Sequence, residues 1–321
     1  MNMKMTRLLF SIAMVAVFPG CSSKEASSPE DKLPEKFIIV LGIAQDAGYP
    51  QAGCEKECCK TYWEGKEEKK HITCLALVDR KESKYWLFEA TPDITQQLKN
   101  VQQYIPSLSD YSPNGIFISH AHIGHYTGLM QLGREVMGAK DVPVWAMPRM
   151  DSFLRNDGPW SQLVSLNNIR LNKLKEDSAV QLGSSLKVTP VRVPHRDEFS
   201  ETVGFVIESD NKKILFIPDI DKWEKWERDI AEQIKDADVA LLDGTFYKNG
   251  ELPGRDMSEV PHPFVQESLK KFSTLSSAEK SKIVFIHFNH TNPLMKKNSA
   301  EKQVVTEQGY KVAIEGMMIK M

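Results

Sequence analysis

Three histidines lie within six positions of the stretch SHAHIGHYTGL: His120, His122 and His125. Neutral imidazole is the commonest protein ligand for zinc-like metal ions, and packing in a hydrophobic core does not explain three such groups so close together. The spacing therefore predicts a metal site. An ion of this kind lowers the pKa of a bound water, which is the chemistry of metal-assisted hydrolysis.

Three further potential ligands each end a different apolar run. His195 ends VTPVRVPH, Asp219 ends ILFIPD and His287 ends KIVFIH. Any one of them alone is more often a hydrogen-bonded core histidine or a capping aspartate. All six residues in this arrangement are poorly explained that way, and ligands gathered from the ends of strands have the rigid support that a catalytic metal site needs.

A cluster of cysteines, GCEKECC, contains Cys54, Cys58 and Cys59, and Cys74 follows it. One interpretation is a disulfide, for example between Cys74 and either Cys54 or Cys59, as is common in exported proteins. The other is a structural zinc ion held by the three clustered thiolates and a histidine, with Cys74 as a small buried residue. Both interpretations are open at this point.

The remaining sequence must position these residues, and in it strand-like apolar runs alternate with helical patterns. The strand-like runs are KFIIVLGI, CLALVD, YWLFEA, GIFISHAH, VPVWAM, LKVTPVRV, TVGFVIE, KILFIP, VALLDG, KIVFIHF and YKVAIEG. The helical patterns are DITQQLKNVQQYI, YTGLMQLGREVMG, WERDIAEQIKDA and PFVQESLKKF. Such an order predicts a layered α/β fold with sheets inside and helices outside.

Composition and charge restrict the possible partners. The chain has 321 residues, of which 41% are hydrophobic and 26% charged, so it can form a sizeable core. Its 41 Lys plus Arg and 43 Asp plus Glu give a formal net charge of −2. Binding to nucleic acid needs a basic domain or stripe, so we expect a small-molecule substrate and no nucleic acid.

The N-terminal segment predicts export. A short basic region precedes the apolar run LLFSIAMVAVF, which is typical of an export signal over residues 1–20. The end of this run resembles a bacterial lipobox, so Cys21 is predicted to carry a lipid anchor in the cell envelope. An ordinary signal peptide with an unrelated cysteine is the alternative. Residues 21–36 are predicted to be a flexible tether, followed by one domain over 37–321.

The order HAHIGH, His195, Asp219 and His287 resembles the metallo-β-lactamase superfamily, whose pattern is HxHxDH followed by single His, Asp and His ligands. The stretches LGIAQDAGYPQAGC, EATPDI, VPHRDEFSETVGF, LLDGTFY and HFNHTNP resemble in particular the branch of pyrroloquinoline-quinone biosynthesis protein B and the cyclic phosphodiesterase of phosphonate breakdown. The resemblance covers residues 37–321 and implies a four-layer αββα sandwich with metal ions at one edge.

The resemblance also implies two metal ions that share one carboxylate. The first ion would be held by three histidines, His120, His122 and His195. The second would be held by His125 and His287, with Asp219 bridging the two ions.

Gly124 departs from this pattern, because the family has an aspartate here that ligates the second ion and helps to orient the attacking water. Without it the second site keeps three protein ligands, which together with a water satisfy a catalytic zinc. A second ion is thus expected to bind more weakly, and an enzyme with one ion is the alternative. A carboxylate from elsewhere would also fit beside a glycine; Asp46, Asp197 and Asp221 are candidates that the sequence does not rank.

The phosphodiesterase branch has a structural zinc site as well, which pairs an N-terminal cysteine cluster with the second histidine of an HxxH motif. In this chain that histidine is His290 of HFNH, so the implied ligands are Cys54, Cys58, Cys59 and His290. On an extended chain His290 would face away from His287. The family spacing CxCxxC is matched only in part, and we favour zinc over a disulfide.

We therefore predict a metal-dependent hydrolase that uses a metal-bound hydroxide on a phosphodiester or related ester. Asp219 and His195 are the expected catalytic residues together with His262, which could contact the substrate but has a loop or capping role as its alternative. Zinc is the expected ion, and iron or manganese are alternatives. Two other functions stay open: an iron-dependent hydroxylase like quinone biosynthesis protein B, and a non-catalytic metal-binding lipoprotein, which Gly124 alone supports.

Overall fold

The structure is a computed structural model that describes residues 33–106, 108 and 111–321. The predicted export signal, the predicted lipid anchor at Cys21 and the tether as far as residue 32 lie outside the described residues. Within the described residues, no helix is both long enough and apolar enough to cross a membrane.

The described residues contain fourteen strands. They are β1 (Lys36–Gly42), β2 (Cys74–Asp79), β3 (Lys84–Phe88), β4 (Gly115–Phe117), β5 (Val142–Ala146), β6 (Ile169–Lys173), β7 (Val180–Gln181), β8 (Lys187–Arg192), β9 (Val203–Glu208), β10 (Lys213–Ile217), β11 (Val239–Asp243), β12 (Ile283–Ile286), β13 (Lys311–Val312) and β14 (Met318–Lys320).

Nine α-helices accompany these strands in the described part of the chain. They are α1 (Glu57–Trp63), α2 (Ile94–Gln102), α3 (Ile123–Tyr126), α4 (Pro148–Asn156), α5 (Trp160–Ser165), α6 (Ile230–Asp236), α7 (Val265–Lys271), α8 (Ser277–Lys280) and α9 (Ala300–Glu307).

Across the described residues the strands form two seven-stranded sheets, in the orders β14-β1-β2-β3-β4-β5-β6 and β13-β12-β11-β10-β9-β8-β7. Each sheet has an antiparallel part and a parallel part. Strands β3 to β6 run parallel in the first sheet, and β10 to β13 run parallel in the second. Residues that follow parallel strands emerge at the same edge of a sheet, which is where such folds bind ligands.

Strand β1 shows why the sheets are enclosed on both sides. Its segment KFIIVLG is buried on both faces: Ile38 and Val40 belong to the core between the sheets, whereas Phe37 and Ile39 pack outward with residues of α2 and α4. Between the sheets, Phe88 of β3 meets Phe205 of β9 with ring centroids 5.4 Å apart. A continuous apolar run of this kind forms a strand covered on both faces, and the predicted αββα sandwich is confirmed.

The segment YTGLMQLGREVMG differs from the predicted helix. Helix α3 covers only Ile123–Tyr126, and a 3₁₀ helix follows over Thr127–Leu132. The reason is the close approach of Gly128 to the chain after β3: its amide donates to Ala90 O at 2.8 Å, and a Cβ at this position would lie 2.1 Å from Thr91 O. This packing holds the histidine segment against the first sheet.

Candidate metal centre

The loops that follow β1, β4, β8, β10 and β12 bring the potential ligands together at one edge of the sandwich. All six residues predicted as catalytic metal ligands lie here, and Asp46 joins them. We call His120, His122 and His195 the first group, and Asp46, His125, Asp219 and His287 the second group.

The second group forms a compact set of two nitrogens and two oxygens. The Nε2 atom of His125 lies 2.8 Å from Asp46 Oδ1 and 3.0 Å from Asp219 Oδ2. For His287 Nε2 the corresponding distances are 3.3 Å and 3.2 Å. A tetrahedral zinc ion with bonds of about 2.0–2.1 Å separates its ligand atoms by roughly 3.3 Å, so these four atoms fit such an ion.

The first group adjoins the second through Asp219. The Oδ2 atom of Asp219 lies 3.9 Å from His120 Nε2, and its Oδ1 atom lies 3.9 Å from His195 Nε2. His120 and His122 both follow the short strand β4, and the centroids of their rings are 4.4 Å apart. Asp219 therefore stands between the groups, in the position of a bridging carboxylate.

Several of these donor atoms have no hydrogen-bond partner among the described residues although they are buried. They are His120 Nε2 and both ring nitrogens of His195. A buried polar atom without a partner costs about 1–3 kcal/mol, so the arrangement is consistent with metal binding. Burial also lowers the pKa of His195 to about 4, which keeps this imidazole in its neutral, ligating form.

The charges around the second group also favour a cation. Burial alone would raise the pKa of Asp46, but His125 and His287 hold it well below its ordinary value. Burial alone would lower the pKa of His125, but the carboxylates of Asp46 and Glu89 raise it well above its ordinary value. Negative charge concentrated in this way is a favourable environment for a divalent cation.

A buried hydrogen-bond chain orients His287. The Oδ1 atom of Asp243 accepts the amide of Thr245 at 2.8 Å and its hydroxyl at 2.7 Å. Because that hydroxyl has a single proton, Thr245 Oγ1 accepts a hydrogen bond from His287 Nδ1 at 2.9 Å. The lone pair of His287 is then on Nε2, which faces the second group. Ser119 Oγ lies 2.8 Å from His120 Nδ1 and supports that ring in a similar way.

His262, the third residue predicted to be catalytic, also lies at this site. Its Nδ1 atom donates to Asp243 Oδ2 at 2.8 Å, since a carboxylate only accepts, and it lies 3.5 Å from Asp219 Oδ1. Burial alone would lower the pKa of His262, but Asp243 raises it. The residue also lines a cleft.

His287 and His290 face different groups of ligands, as predicted. The predicted reason, an extended chain between them, is wrong. The chain is not extended here, because His287 has a φ of 68°. This left-handed conformation, costly for a residue other than glycine, turns the chain directly after β12. His287 then faces the second group and His290 faces the cysteines.

The predicted structural zinc ligands also come together. Cys54 Sγ and Cys58 Sγ lie 3.7 Å apart, and His290 Nδ1 lies 3.4 Å from Cys58 Sγ and from Cys59 Sγ. A tetrahedral zinc with bonds of about 2.3 Å to sulfur and 2.0 Å to nitrogen gives separations of roughly 3.8 and 3.5 Å. The four residues therefore fit a closed structural site.

The disulfide interpretation is not what the structure shows. Cys54, Cys58, Cys59 and Cys74 are all free thiols. Cys74 is fully buried at the start of β2, and its thiol contacts the carbonyl oxygens of Leu75 and Glu89 at 3.6 Å. It is a core residue, separate from the cysteine cluster.

Glu89 is a buried residue behind the second group that the sequence did not single out. It is fully buried, follows β3 with a φ of 81°, and places Oε1 3.3 Å from His125 Nδ1. A carboxylate behind a ligating histidine orients the ring and increases its basicity. Glu89, Asp243 and Thr245 lie in the stretches EATPDI and LLDGTFY, which carried the family resemblance without indicating individual roles.

We expect Glu89→Gln to weaken zinc binding by the second group about 10- to 100-fold, the usual effect of losing such a partner. Competition with a chromophoric chelator would measure it. Glu82→Gln, a change at an exposed carboxylate, is the matched control. Equal zinc affinity in both variants would show that Glu89 does not tune the ligand.

Comparison with known proteins identifies the superfamily of the chain. A sequence profile described as a beta-lactamase superfamily domain matches residues 85–288. Coenzyme PQQ synthesis protein B of Pseudomonas putida is 27% identical over 311 residues, which cover 89% of this chain and 100% of the relative.

Two solved structures share the fold. Zn²⁺-bound PqqB from Methylobacterium extorquens superposes with a TM-score of 0.72 at 22% identity, over 89% of this chain and 100% of that chain. A diphosphatase of the PhnP family superposes with a TM-score of 0.61 at 18% identity, over 88% and 96% of the two chains. The profile match spans more than half of the sequence, and the chain therefore belongs to the beta-lactamase superfamily.

Proposed function

We propose that the protein is a metal-dependent hydrolase of phosphodiesters or related anionic esters. The observation that carries this proposal is the pair of ligand groups joined by Asp219, beside a cleft that is lined by cations. Zinc ions bound by the two groups would lower the pKa of a water and polarise a phosphoryl oxygen.

The cleft supports an anionic substrate. It has a volume of about 470 Å³, within the usual range for small-molecule sites, and His262 and Thr245 form part of its wall. Lys56, Arg196 and Arg255 line it, against the single carboxylate of Glu55. None of the three cations forms an ion pair with a carboxylate of the described residues, so they remain available to a phosphate group.

The chain's own residues would divide the work as follows. Asp219 would fix the spacing of the two ligand groups, and His195, whose side chain is fully buried, would complete the first group. We assign His262 to hold a proton on Nε2 beside the leaving oxygen, with Asp243 supporting its other nitrogen. Arg255 would bind an unreacted phosphate oxygen.

Assays on the zinc-reconstituted protein test the proposal directly. We expect turnover of bis(p-nitrophenyl) phosphate, and we expect Arg255→Ala to raise its KM about tenfold or more, because a charged hydrogen bond contributes about 1.5–3 kcal/mol. The KM for neutral p-nitrophenyl acetate should stay unchanged.

Arg134→Ala, a change at an exposed arginine paired with Glu135, is the matched control for Arg255→Ala. No turnover of phosphodiester, lactone or thioester substrates by the zinc-loaded protein would contradict the hydrolase assignment. Turnover of neutral esters alone would contradict the anionic substrate class.

A second candidate function comes from the relatives named coenzyme PQQ synthesis protein B, which match this chain over their full length. An iron-dependent hydroxylase of that type would consume oxygen with a tyrosine-bearing peptide when it is loaded with Fe²⁺. Histidine and carboxylate ligands suit iron as well as zinc, so metal analysis and oxygen uptake discriminate the two functions. We do not favour a non-catalytic protein, since its only support was Gly124 and Asp46 brings a carboxylate to that point.

A further inference from the structure

Asp46 fills the space that a side chain at position 124 would need. A Cβ atom on Gly124 would lie 2.4 Å from Asp46 Cα, 2.8 Å from Asp46 Cβ and 2.9 Å from Asp46 Oδ1. Real Cβ atoms essentially never approach other atoms below 3.0 Å. The backbone and the side chain of Asp46 therefore exclude any side chain at position 124.

We infer that Asp46 is a ligand of the metal ion held by the second group, and that it replaces the carboxylate that Gly124 lacks. Its Oδ1 atom faces the Nε2 atoms of both His125 and His287, at 2.8 and 3.3 Å. The aspartate enters from the loop after β1, whereas the family pattern supplies it from the histidine motif itself.

Backbone contacts fix the loop that carries Asp46. The amide of Gln45 donates to Phe288 O at 2.8 Å, and the amide of Phe288 donates to Ile43 O at 2.8 Å. Ala44 also forms parallel bridges with Phe288 and with Ile72. Asp46 is thus attached to the same segment that holds His287, which gives the carboxylate a rigid support.

The other two carboxylates considered from the sequence are engaged elsewhere. Asp197 is half exposed and pairs with Arg149 at 3.4 Å and with Arg192 at 3.8 Å. Asp221 pairs with Lys225 at 2.7 Å. Neither belongs to a potential metal-binding group of the described residues, so Asp46 alone of the three lies at the site.

The inference rests on the metal binding that the proposed function requires, but not on the reaction. Its test therefore measures metal content. Asp46→Asn keeps the shape of the side chain and removes its charge, so we expect it to lower zinc affinity at the second group at least about 100-fold, more than the loss of an outer-shell partner. Dialysis against a chelator of fixed strength should leave one zinc ion fewer per chain than in the wild type.

Asp221→Asn is the matched control, because the two side chains are 16% and 15% exposed and only Asp46 lies at the site. Cobalt substitution adds an internal check, since thiolate absorption bands from the cysteine cluster should be the same in all variants. Wild-type zinc content and affinity in Asp46→Asn would overturn the inference, whatever the protein hydrolyses.

Removal of the whole Asp46 side chain provides a second test, and Asp46→Gly should also lose the ion. Gly124→Asp alone should lower Tm, because its Cβ would meet the backbone of Asp46. Zinc content and affinity in Asp46→Gly equal to those of the wild type would contradict the inference.

Discussion

His195→Ala is expected to lower kcat/KM for the phosphodiester at least about 10³-fold, which corresponds to about 4 kcal/mol of transition-state stabilisation. The imidazole is buried and neither ring nitrogen has a hydrogen-bond partner among the described residues. Its removal therefore deletes a ligand of the first group without leaving another polar group unpaired. Steady-state kinetics on zinc-loaded protein would measure the loss.

The matched control for this change is His71→Ala. His71 pairs with Glu315 at 3.2 Å and belongs to neither ligand group, so its removal should leave kcat/KM unchanged. The metal content of His195→Ala should fall while its far-UV circular dichroism stays that of the wild type. Undiminished turnover would exclude the first group as the catalytic centre.

Cys59→Ala is expected to cause the largest loss of stability. The thiol is fully buried, and its removal leaves three ligands for the structural zinc. When the free ion is present at 1,000 times the Kd of the site, binding adds about 4 kcal/mol to the free energy of unfolding. Loss of the ion should therefore lower Tm by roughly 8 °C or more. Metal analysis should find one zinc ion fewer per chain.

Cys74→Ala separates loss of zinc from loss of packing. Both thiols are fully buried, so both substitutions leave a small cavity, which costs about 1 kcal/mol or more. Only Cys59→Ala should also lose an ion, and a chelator should then lower its Tm less than that of Cys74→Ala. The same zinc content and the same Tm in the two variants would contradict the structural zinc site.

Most of the strands could be predicted because they are continuous apolar runs. KFIIVLGI and KILFIP match β1 and β10 closely, since both faces of these strands are buried. Short elements were missed: α1 begins inside the cysteine cluster, which was interpreted only as a source of ligands. The helix expected over YTGLMQLGREVMG is interrupted because Gly128 packs on the backbone at Ala90 and Thr91, a contact that helical periodicity does not contain.

The sequence by itself determined the types and the order of the main ligands. Each of His195, Asp219 and His287 comes at or just after the end of an apolar run, and such runs become strands that end at a common edge. The cysteine cluster and His290 were likewise visible from residue type and motif. These features are local, so a single chain segment is enough to show them.

Only the tertiary structure decided how the second group is completed. Asp46 is 79 positions from His125, and nothing in the two segments shows that the loop after β1 crosses the space above Gly124. That approach depends on the pairing of Ala44 with Phe288 beyond the ends of β1 and β12. The positions of Glu89 and Thr245 behind the ligands have the same origin, because contacts between distant strand ends are set by the sandwich as a whole.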